Sequence, residues 1–105
     1  MSEPFNKLTP AQAERLAMLA EECAEVILII GKILRHGYDS HHPETPAITN
    51  RDILHEELLD VTAVASAMGM AGDATILDSM GFYGEAAAQR WRKKLRWTHH
   101  QGDEA

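Results

Sequence analysis

Apolar residues recur every three or four positions along the first third of the chain. The members of this pattern are residues 16, 19, 20, 23, 26, 27, 30, 33 and 34. Such spacing is typical of an α-helix rather than a strand. Thr9 and Pro10 suit an N-cap and a first helical position, and Gly37 suits a C-terminal stop. We therefore predict a first helix over about residues 10–36.

A second helix is predicted over about residues 50–68. Thr49 and Asp52 have the spacing of a capping box at its start, and the glycine-containing segment 69–72 ends it. An apolar stripe with 4-3-4-3 spacing is expected to pack on another helix. Its members are Leu54, Leu58, Val61, Ala65 and Met68. The stretch 38–49, rich in Pro, His, Ser and Thr, predicts a loop.

Two further helices complete the prediction. Asp73 is expected to cap a short helix that runs to about Met80, and a basic helix is expected over about residues 85–97. Neither an internal repeat nor a pair of strands is evident, so we predict an all-α fold. The chain is predicted to be a single domain over residues 1–105. Its expected parts are a core at about 10–97, a loosely held arm at 1–8 and a tail at 98–105.

Composition and charge narrow the function classes. Hydrophobic residues make up 45% and charged residues 25% of the 105 residues, as in ordinary globular proteins. The net charge of −6 argues against non-specific nucleic-acid binding as the main role. The longest apolar run, Val26–Ile30, is too short to span a bilayer and indicates a helix buried on more than one face. The single cysteine, Cys23, and a start without signal-peptide features favour a cytoplasmic location.

Two pairs of acidic residues lie within the two main helices. Glu22 and Glu25 are three residues apart, as are Glu57 and Asp60. Residues at this spacing project from nearly the same side of a helix. If the helices packed face to face, the four carboxylates would converge, and a hard cation such as Mg²⁺ or Mn²⁺ would offset their repulsion. The simpler interpretation is that each pair belongs to a solvated helix face.

The two pairs also resemble the motifs of a known family. Residues 21–25 have the form EExxE and residues 57–60 have the form ExxD, in that order on two helices. Together they resemble the MazG-like all-α nucleoside triphosphate pyrophosphohydrolases over roughly residues 10–97. The 31 residues between the pairs are more than in the most compact members. The resemblance implies a MazG-like helical bundle that is completed by oligomerisation, as a homodimer or homotetramer.

The resemblance implies hydrolysis of a nucleoside triphosphate to the monophosphate and diphosphate with Mg²⁺ or Mn²⁺. By motif position, Glu22, Glu25, Glu57 and Asp60 would be the metal ligands. Glu22 would also serve catalysis, and Glu21 would orient or deprotonate the attacking water. The alternative for Glu21 is a plain surface charge.

Basic side chains are the candidates for phosphate contacts. Lys32 is seven residues after Glu25 and so on the same helix face, and Arg35 and His36 follow one turn later. Lys93 of the last helix is a further candidate, with a subunit interface as one way to reach the site. The simpler explanations are a favourable charge at a helix C-terminus for Arg35 and a solvated face for Lys93.

The loop between the main helices is expected to contact the base or sugar. Asn50 could bind nucleotide through its amide, with solvation of the helix N-terminus as the alternative. His41 and His42 are expected to be ordinary loop residues, since a hard carboxylate site does not call for imidazole. The stretch 31–37 and the histidine-rich loop resemble compact, phage-type relatives, some of which prefer purine deoxynucleotides such as dGTP and dATP. The competing function is a non-catalytic helical dimerisation or interaction module.

Overall fold

The computed structural model of this chain describes residues 5–74 and 84–102. These residues form three helices, α1 (Pro10–His36), α2 (Asn50–Met70) and α3 (Gly84–Leu95). They contain no β-strand, and the strand-like pairing among them is a single isolated bridge between His41 and Thr49. The fold is therefore all-α, as predicted. No helix in the described ranges has an apolar stretch long enough to cross a bilayer.

The ends of α1 follow from local hydrogen bonding. The Thr9 hydroxyl accepts a hydrogen bond from the Gln12 amide (3.1 Å), and the Gln12 side chain accepts one from the Thr9 amide (2.8 Å). This capping box satisfies two backbone donors that the first turn leaves unpaired. At the other end, Gly37 has a φ of 91° and donates its N–H to the Ile33 carbonyl at 2.7 Å. A positive φ favours glycine, and the predicted bounds of this helix are confirmed.

A second capping box begins α2. The Asp52 carboxylate accepts from the Thr49 amide at 2.9 Å, and the Thr49 hydroxyl accepts from the Asp52 amide at 3.2 Å. Hydrogen bonding of the Asp52 carboxylate by the backbone and side chain of Thr49 holds the pKa of Asp52 below its usual value. The helix ends at Met70, two residues beyond the predicted end. The short helix predicted to run from Asp73 to Met80 falls largely outside the described residues.

Contacts at both ends make α1 and α2 an antiparallel hairpin. At one end, the Asn50 amide group donates to the Gly37 carbonyl at 3.2 Å, and the Asn50 backbone N–H donates to Ser40 at 2.8 Å. At the other end, the Arg15 guanidinium donates two hydrogen bonds to the Asp73 carboxylate, at 2.5 and 3.0 Å. In contrast, α3 packs against neither α1 nor α2.

The two long helices meet along a seam of partly or fully buried side chains. In α1 these side chains recur at alternating three- and four-residue steps, and in α2 they follow a similar period. The seam residues are Gln12, Arg15, Leu19, Glu22, Val26, Ile29 and Ile33 in α1, and Asn50, Ile53, Leu54, Glu57, Val61, Val64 and Met68 in α2. Its buried apolar members are Ile29, Val64 and Met68, with exposures of 3%, 9% and 6%. Each helix therefore carries a glutamate within its packing face.

The predicted packing stripe of α2 was wrong in one part. Leu58 is 47% exposed, whereas Val64, which was not in the predicted stripe, is buried. The helix carries two adjacent apolar stripes, and it turns the one that contains Glu57 and Val64 toward α1. Rotation of a helix about its own axis depends on the partner surface, so apolar spacing alone could not choose between the stripes.

A second apolar stripe runs along α1 beside the seam. Its members are Leu16, Ala20, Cys23, Ile27, Ile30 and Leu34. Cys23 follows Glu22 by one position, and Leu58, in the exposed apolar stripe of α2, follows Glu57 by one position. On each helix the flanking stripe is therefore rotated from the seam by about 100° in the same sense. In an antiparallel pair this places them on one side of the hairpin, which we call the apolar side. Ile27 and Leu34 are 70% and 81% exposed there.

The dimensions of the chain agree with this uncovered surface. The Cα radius of gyration is 17.6 Å, whereas a compact domain of 100 residues has a value of about 13 Å. The described residues of a single chain thus form a hairpin and a separate helix rather than a closed core.

The ion pair between Arg15 and Asp73 yields a prediction about acid stability. Hydrogen bonds from Arg15 lower the pKa of Asp73, and the Asp73 side chain is only 8% exposed. Stabilisation by this pair is therefore complete above the unfolded-state pKa of about 3.9 and is lost as the pH falls through the lower folded-state pKa. We expect Asp73→Asn to lower the Tm by several degrees at pH 7 and to approach the wild-type Tm as the pH falls below the folded-state pKa of Asp73.

Circular dichroism melts across this pH range would measure the effect. Asp39→Asn is the matched control, because Asp39 pairs with Arg51 in a fully exposed position at 3.4 Å and such pairs add little. An Asp73→Asn variant as stable as the wild type at pH 7 would contradict the assigned role of the pair.

Candidate functional site

Three carboxylates from the two predicted motifs come together across the seam. Glu22 of α1 and Glu57 and Asp60 of α2 each place an oxygen within 4.8 Å of the others. Glu22 and Glu57 are half-buried, and Asp60 is exposed. We call these three residues the carboxylate cluster. Because two of its members lie in the packing face, helix packing rather than a loop fixes their positions.

The environment of Glu22 disfavours its charged form. Loss of hydration raises the pKa of Glu22 above its usual value, and the negative charges of Asp60 and Glu57 raise it further. Glu21 and Glu25 add smaller contributions of the same sign. A positive charge placed in the cluster would relieve this repulsion.

Glu57 experiences the same kind of environment. Loss of hydration raises the pKa of Glu57, followed by the charges of Glu25, Asp60 and Glu56. The predicted fourth ligand, Glu25, therefore lies near enough to act on Glu57, although its oxygens are outside the carboxylate cluster. Across the seam, Asp60 acts on Glu22 and Glu25 acts on Glu57.

This reciprocity reflects an internal repeat that the sequence analysis missed. Residues 21–26 read EECAEV and residues 56–61 read EELLDV, an offset of 35 positions. Most seam positions share this offset, since residues 15, 19, 22, 26, 29 and 33 correspond to 50, 54, 57, 61, 64 and 68. The hairpin thus has an approximate two-fold axis between Glu22 and Glu57. The spacing was present in the sequence, but few identities outside the acidic positions support it.

The donor set fits a hard divalent cation. All three groups offer carboxylate oxygen, which Mg²⁺ and Mn²⁺ prefer, and no histidine or cysteine belongs to the cluster. Exposed acidic groups of this kind also occur without an ion.

The other predicted site residues of α1 are exposed. Glu21 precedes the seam glutamate by one position and faces solvent. Lys32 lies on the same side of the helix as Glu25, two turns later. The Arg35 guanidinium folds back along the helix, 3.5 Å from where a Cβ on Gly31 would stand. His36 is the last residue of the helix.

Asn50 and Lys93 are the remaining predicted site residues, and neither belongs to the carboxylate cluster. Asn50 is 7% exposed, and its amide group is already bonded to Gly37, so it joins the loop to the hairpin. Lys93 lies on α3, and the structure does not bring it to the carboxylate cluster within one chain. In the loop, His42 accepts a hydrogen bond from the Glu44 amide at 3.1 Å, which is an ordinary turn contact.

A groove beside the carboxylate cluster was not foreseen. Its volume is about 480 Å³, and it is lined by Ile48, Asp52, Ile53, His55, Glu56 and Glu57. Ile48 reaches this place because the bridge between His41 and Thr49 folds the loop against the start of α2. The sequence holds no pattern that predicts this contact, since Ile48 belongs to no periodic stripe.

Comparison of the chain with protein-family models, curated protein sequences and solved structures gave no match. The similarity to the MazG-like proteins therefore rests on the two motifs and their order.

Charge repulsion in the carboxylate cluster predicts that removing one charge stabilises the metal-free protein. Glu22→Gln keeps the side-chain shape while removing a carboxylate whose ionised form is disfavoured at the seam. We expect its Tm to exceed the wild-type value by a few degrees at pH 7 in EDTA. Differential scanning calorimetry would measure the shift.

Glu14→Gln is the control, since it removes the same charge from an exposed position of the same helix. It should leave the Tm unchanged or slightly lower it. A Glu22→Gln variant less stable than Glu14→Gln would show that the seam favours the charged carboxylate.

Proposed function

We propose that this protein is a metal-dependent nucleoside triphosphate pyrophosphohydrolase acting on the cytoplasmic nucleotide pool. The reaction would convert a deoxynucleoside triphosphate and water to the monophosphate and diphosphate, with a preference for the purines dGTP and dATP. The supporting observation is the cross-helix carboxylate cluster, in which Glu22 from one motif meets Glu57 and Asp60 from the other within 4.8 Å.

Mg²⁺ or Mn²⁺ would be held by Glu22, Glu57 and Asp60, with Glu25 beside Glu57 as the fourth carboxylate. Such an ion supplies Lewis-acid polarisation of phosphate oxygens and lowers the pKa of coordinated water. The seam fixes the spacing of these carboxylates, because they lie on two helices that pack against each other and not on loops. Loss of hydration at Glu22 and Glu57 strengthens their attraction for a cation.

The remaining chemistry falls to exposed groups around the cluster. Glu21 precedes Glu22 and faces solvent, and it would take a proton from the attacking water. Lys32 lies on the Glu25 side and would offset phosphate charge as a point cation. Both roles use side chains that the seam leaves free to meet a substrate.

The groove next to Glu57 is the proposed place for the base and sugar. Ile48 and Ile53 give it apolar walls, while Asp52 and His55 give it polar groups at the rim. Glu57 belongs to both the groove and the carboxylate cluster. A nucleotide with its base and sugar in the groove would therefore have its phosphates beside Glu57. This arrangement agrees with the expectation that the loop contacts the base or sugar.

Self-association is part of the proposal. The apolar side of the hairpin is exposed in one chain, with Ile27 and Leu34 accessible over most of their surface. Large exposed apolar patches mark interaction sites, and two hairpins joined through these sides would form a four-helix bundle as a homodimer. The same surface also supports the competing function, a non-catalytic interaction module.

Product analysis tests the activity. We expect conversion of deoxynucleoside triphosphates to monophosphates and diphosphate with Mg²⁺ or Mn²⁺, and none in EDTA, as resolved by ion-exchange chromatography. Glu22→Gln and Asp60→Asn should reduce kcat/KM by at least ~100-fold, because several kcal/mol of charge stabilisation would be lost.

Glu14→Gln is the matched control and should retain activity, since Glu14 belongs neither to the carboxylate cluster nor to the groove. Calorimetric titration with Mn²⁺ would separate binding from turnover. If none of the common nucleoside triphosphates is hydrolysed and Glu22→Gln binds Mn²⁺ as the wild type does, the interaction module becomes the better account.

Light scattering tests the association. We expect the wild-type protein to have at least twice the mass of one chain at micromolar concentration, and the double variant Ile27→Glu, Leu34→Glu to have the mass of one chain. Ala11→Glu, an exposed change on α1 outside the apolar side, should leave the mass unchanged. A monomeric wild-type protein would contradict the proposed bundle.

A further inference from the structure

The charge of the chain is divided unevenly between α3 and the rest. Residues 84–102 carry five Lys and Arg side chains, all within residues 90–96, and one acidic side chain, Glu85. The remaining residues carry five basic and fifteen acidic side chains. The net charge of −6 therefore conceals a basic helix attached to an acidic hairpin.

One face of α3 forms a basic groove with an aromatic wall. Its volume is about 410 Å³, and it is lined by Ala86, Gln89, Arg90, Lys93, Lys94, Arg96 and Trp97. Their positions follow helical spacing, so they share one side of the helix. Trp91 and Leu95 lie on the opposite side, and Arg92 lies off the groove and pairs with Glu85 at 2.7 Å.

The cations of this groove are not neutralised by the described part of the chain. Arg90, Lys93 and Lys94 form no ion pair with any described residue, and α3 packs against neither acidic helix. Arg96 lies over the Trp97 ring at 4.9 Å from its centroid. Trp97 is nonetheless 73% exposed, which leaves ring surface for another flat group.

We propose that the basic groove of α3 binds single-stranded nucleic acid. Cations that follow a phosphate backbone, together with an exposed aromatic ring on which a base stacks, are the combination that such ligands require. This inference goes beyond the proposed hydrolase activity and does not depend on it. The acidic hairpin opposes the binding only weakly at physiological salt, where charges beyond about 8 Å are largely screened.

An anionic membrane suits this helix less well. A helix that lies on a lipid surface buries its large apolar residues on the face opposite its cations. Here Trp97, which is 73% exposed, lines the basic groove itself. On the opposite side, Trp91 is 51% and Leu95 37% exposed, so the larger exposed aromatic surface lies among the cations.

The two tryptophans provide the test, because the chain has no others and both lie at α3. Trp91→Phe leaves Trp97 as the only emitter, and Trp97→Phe leaves Trp91. In EDTA, an oligothymidylate of about eight nucleotides should quench the fluorescence of Trp91→Phe and leave that of Trp97→Phe nearly unchanged. The logarithm of the binding constant should fall with the logarithm of salt concentration with a slope of about −2.8, as for four phosphate contacts on a single strand.

Matched charge variants of the same helix locate the contact. Arg90→Gln should reduce the slope by about 0.7, whereas Arg92→Gln, which removes the same charge outside the groove, should change it little. Circular dichroism would confirm that both variants keep their helices. No quenching of Trp97 by the oligonucleotide would overturn the proposal. So would quenching of equal strength by dTTP, or a response only to vesicles of phosphatidylcholine and phosphatidylserine.

Discussion

The seam between α1 and α2 is the interaction on which the rest of the described structure depends. Buried apolar side chains such as Ile29, Val64 and Met68 must hold two antiparallel helices together while Glu22 and Glu57 repel each other at the same interface. Buried charge of one sign costs stability unless it is compensated. The repulsion at the seam therefore weakens the isolated hairpin, and a bound cation would relieve it. Sequences selected only for stability would put apolar residues there.

The hairpin presents two different sides. On one side, Glu25 and Asp60 flank the seam glutamates, and Lys32 follows them along α1. On the other side, the apolar stripe of α1 that includes Ile27 and Leu34 is exposed. Under the proposed function, one surface would meet charged ligands and the other would meet a second hairpin, so association would not need to cover the carboxylates. The basic helix α3 is separate from both surfaces.

Local chemistry explains what the sequence could predict. Thr9, Thr49 and Gly37 determine helix ends through hydrogen bonds and backbone angles within a few residues, so those bounds were predicted correctly. The carboxylates of Glu22, Glu57 and Asp60 were expected to converge because residues three positions apart share a helix face. Long-range packing explains what was missed. The choice between Leu58 and Val64 depends on the rotation of one helix against another, and the pair of Arg15 with Asp73 joins residues 58 positions apart.

The approximate two-fold axis between Glu22 and Glu57 has a consequence for direction. A site with perfect two-fold symmetry would receive an asymmetric ligand equally well in either of two opposite orientations. In this hairpin the symmetry is broken beside the seam glutamates, where Asp60 joins the carboxylate cluster and its counterpart Glu25 stays outside. The groove of Ile48 and Ile53 also adjoins only Glu57. Glu25 and Asp60 differ by one methylene, and the loop lies on one side only. These two differences give the nearly symmetric pair of helices a defined direction, so that an asymmetric ligand would have one preferred orientation.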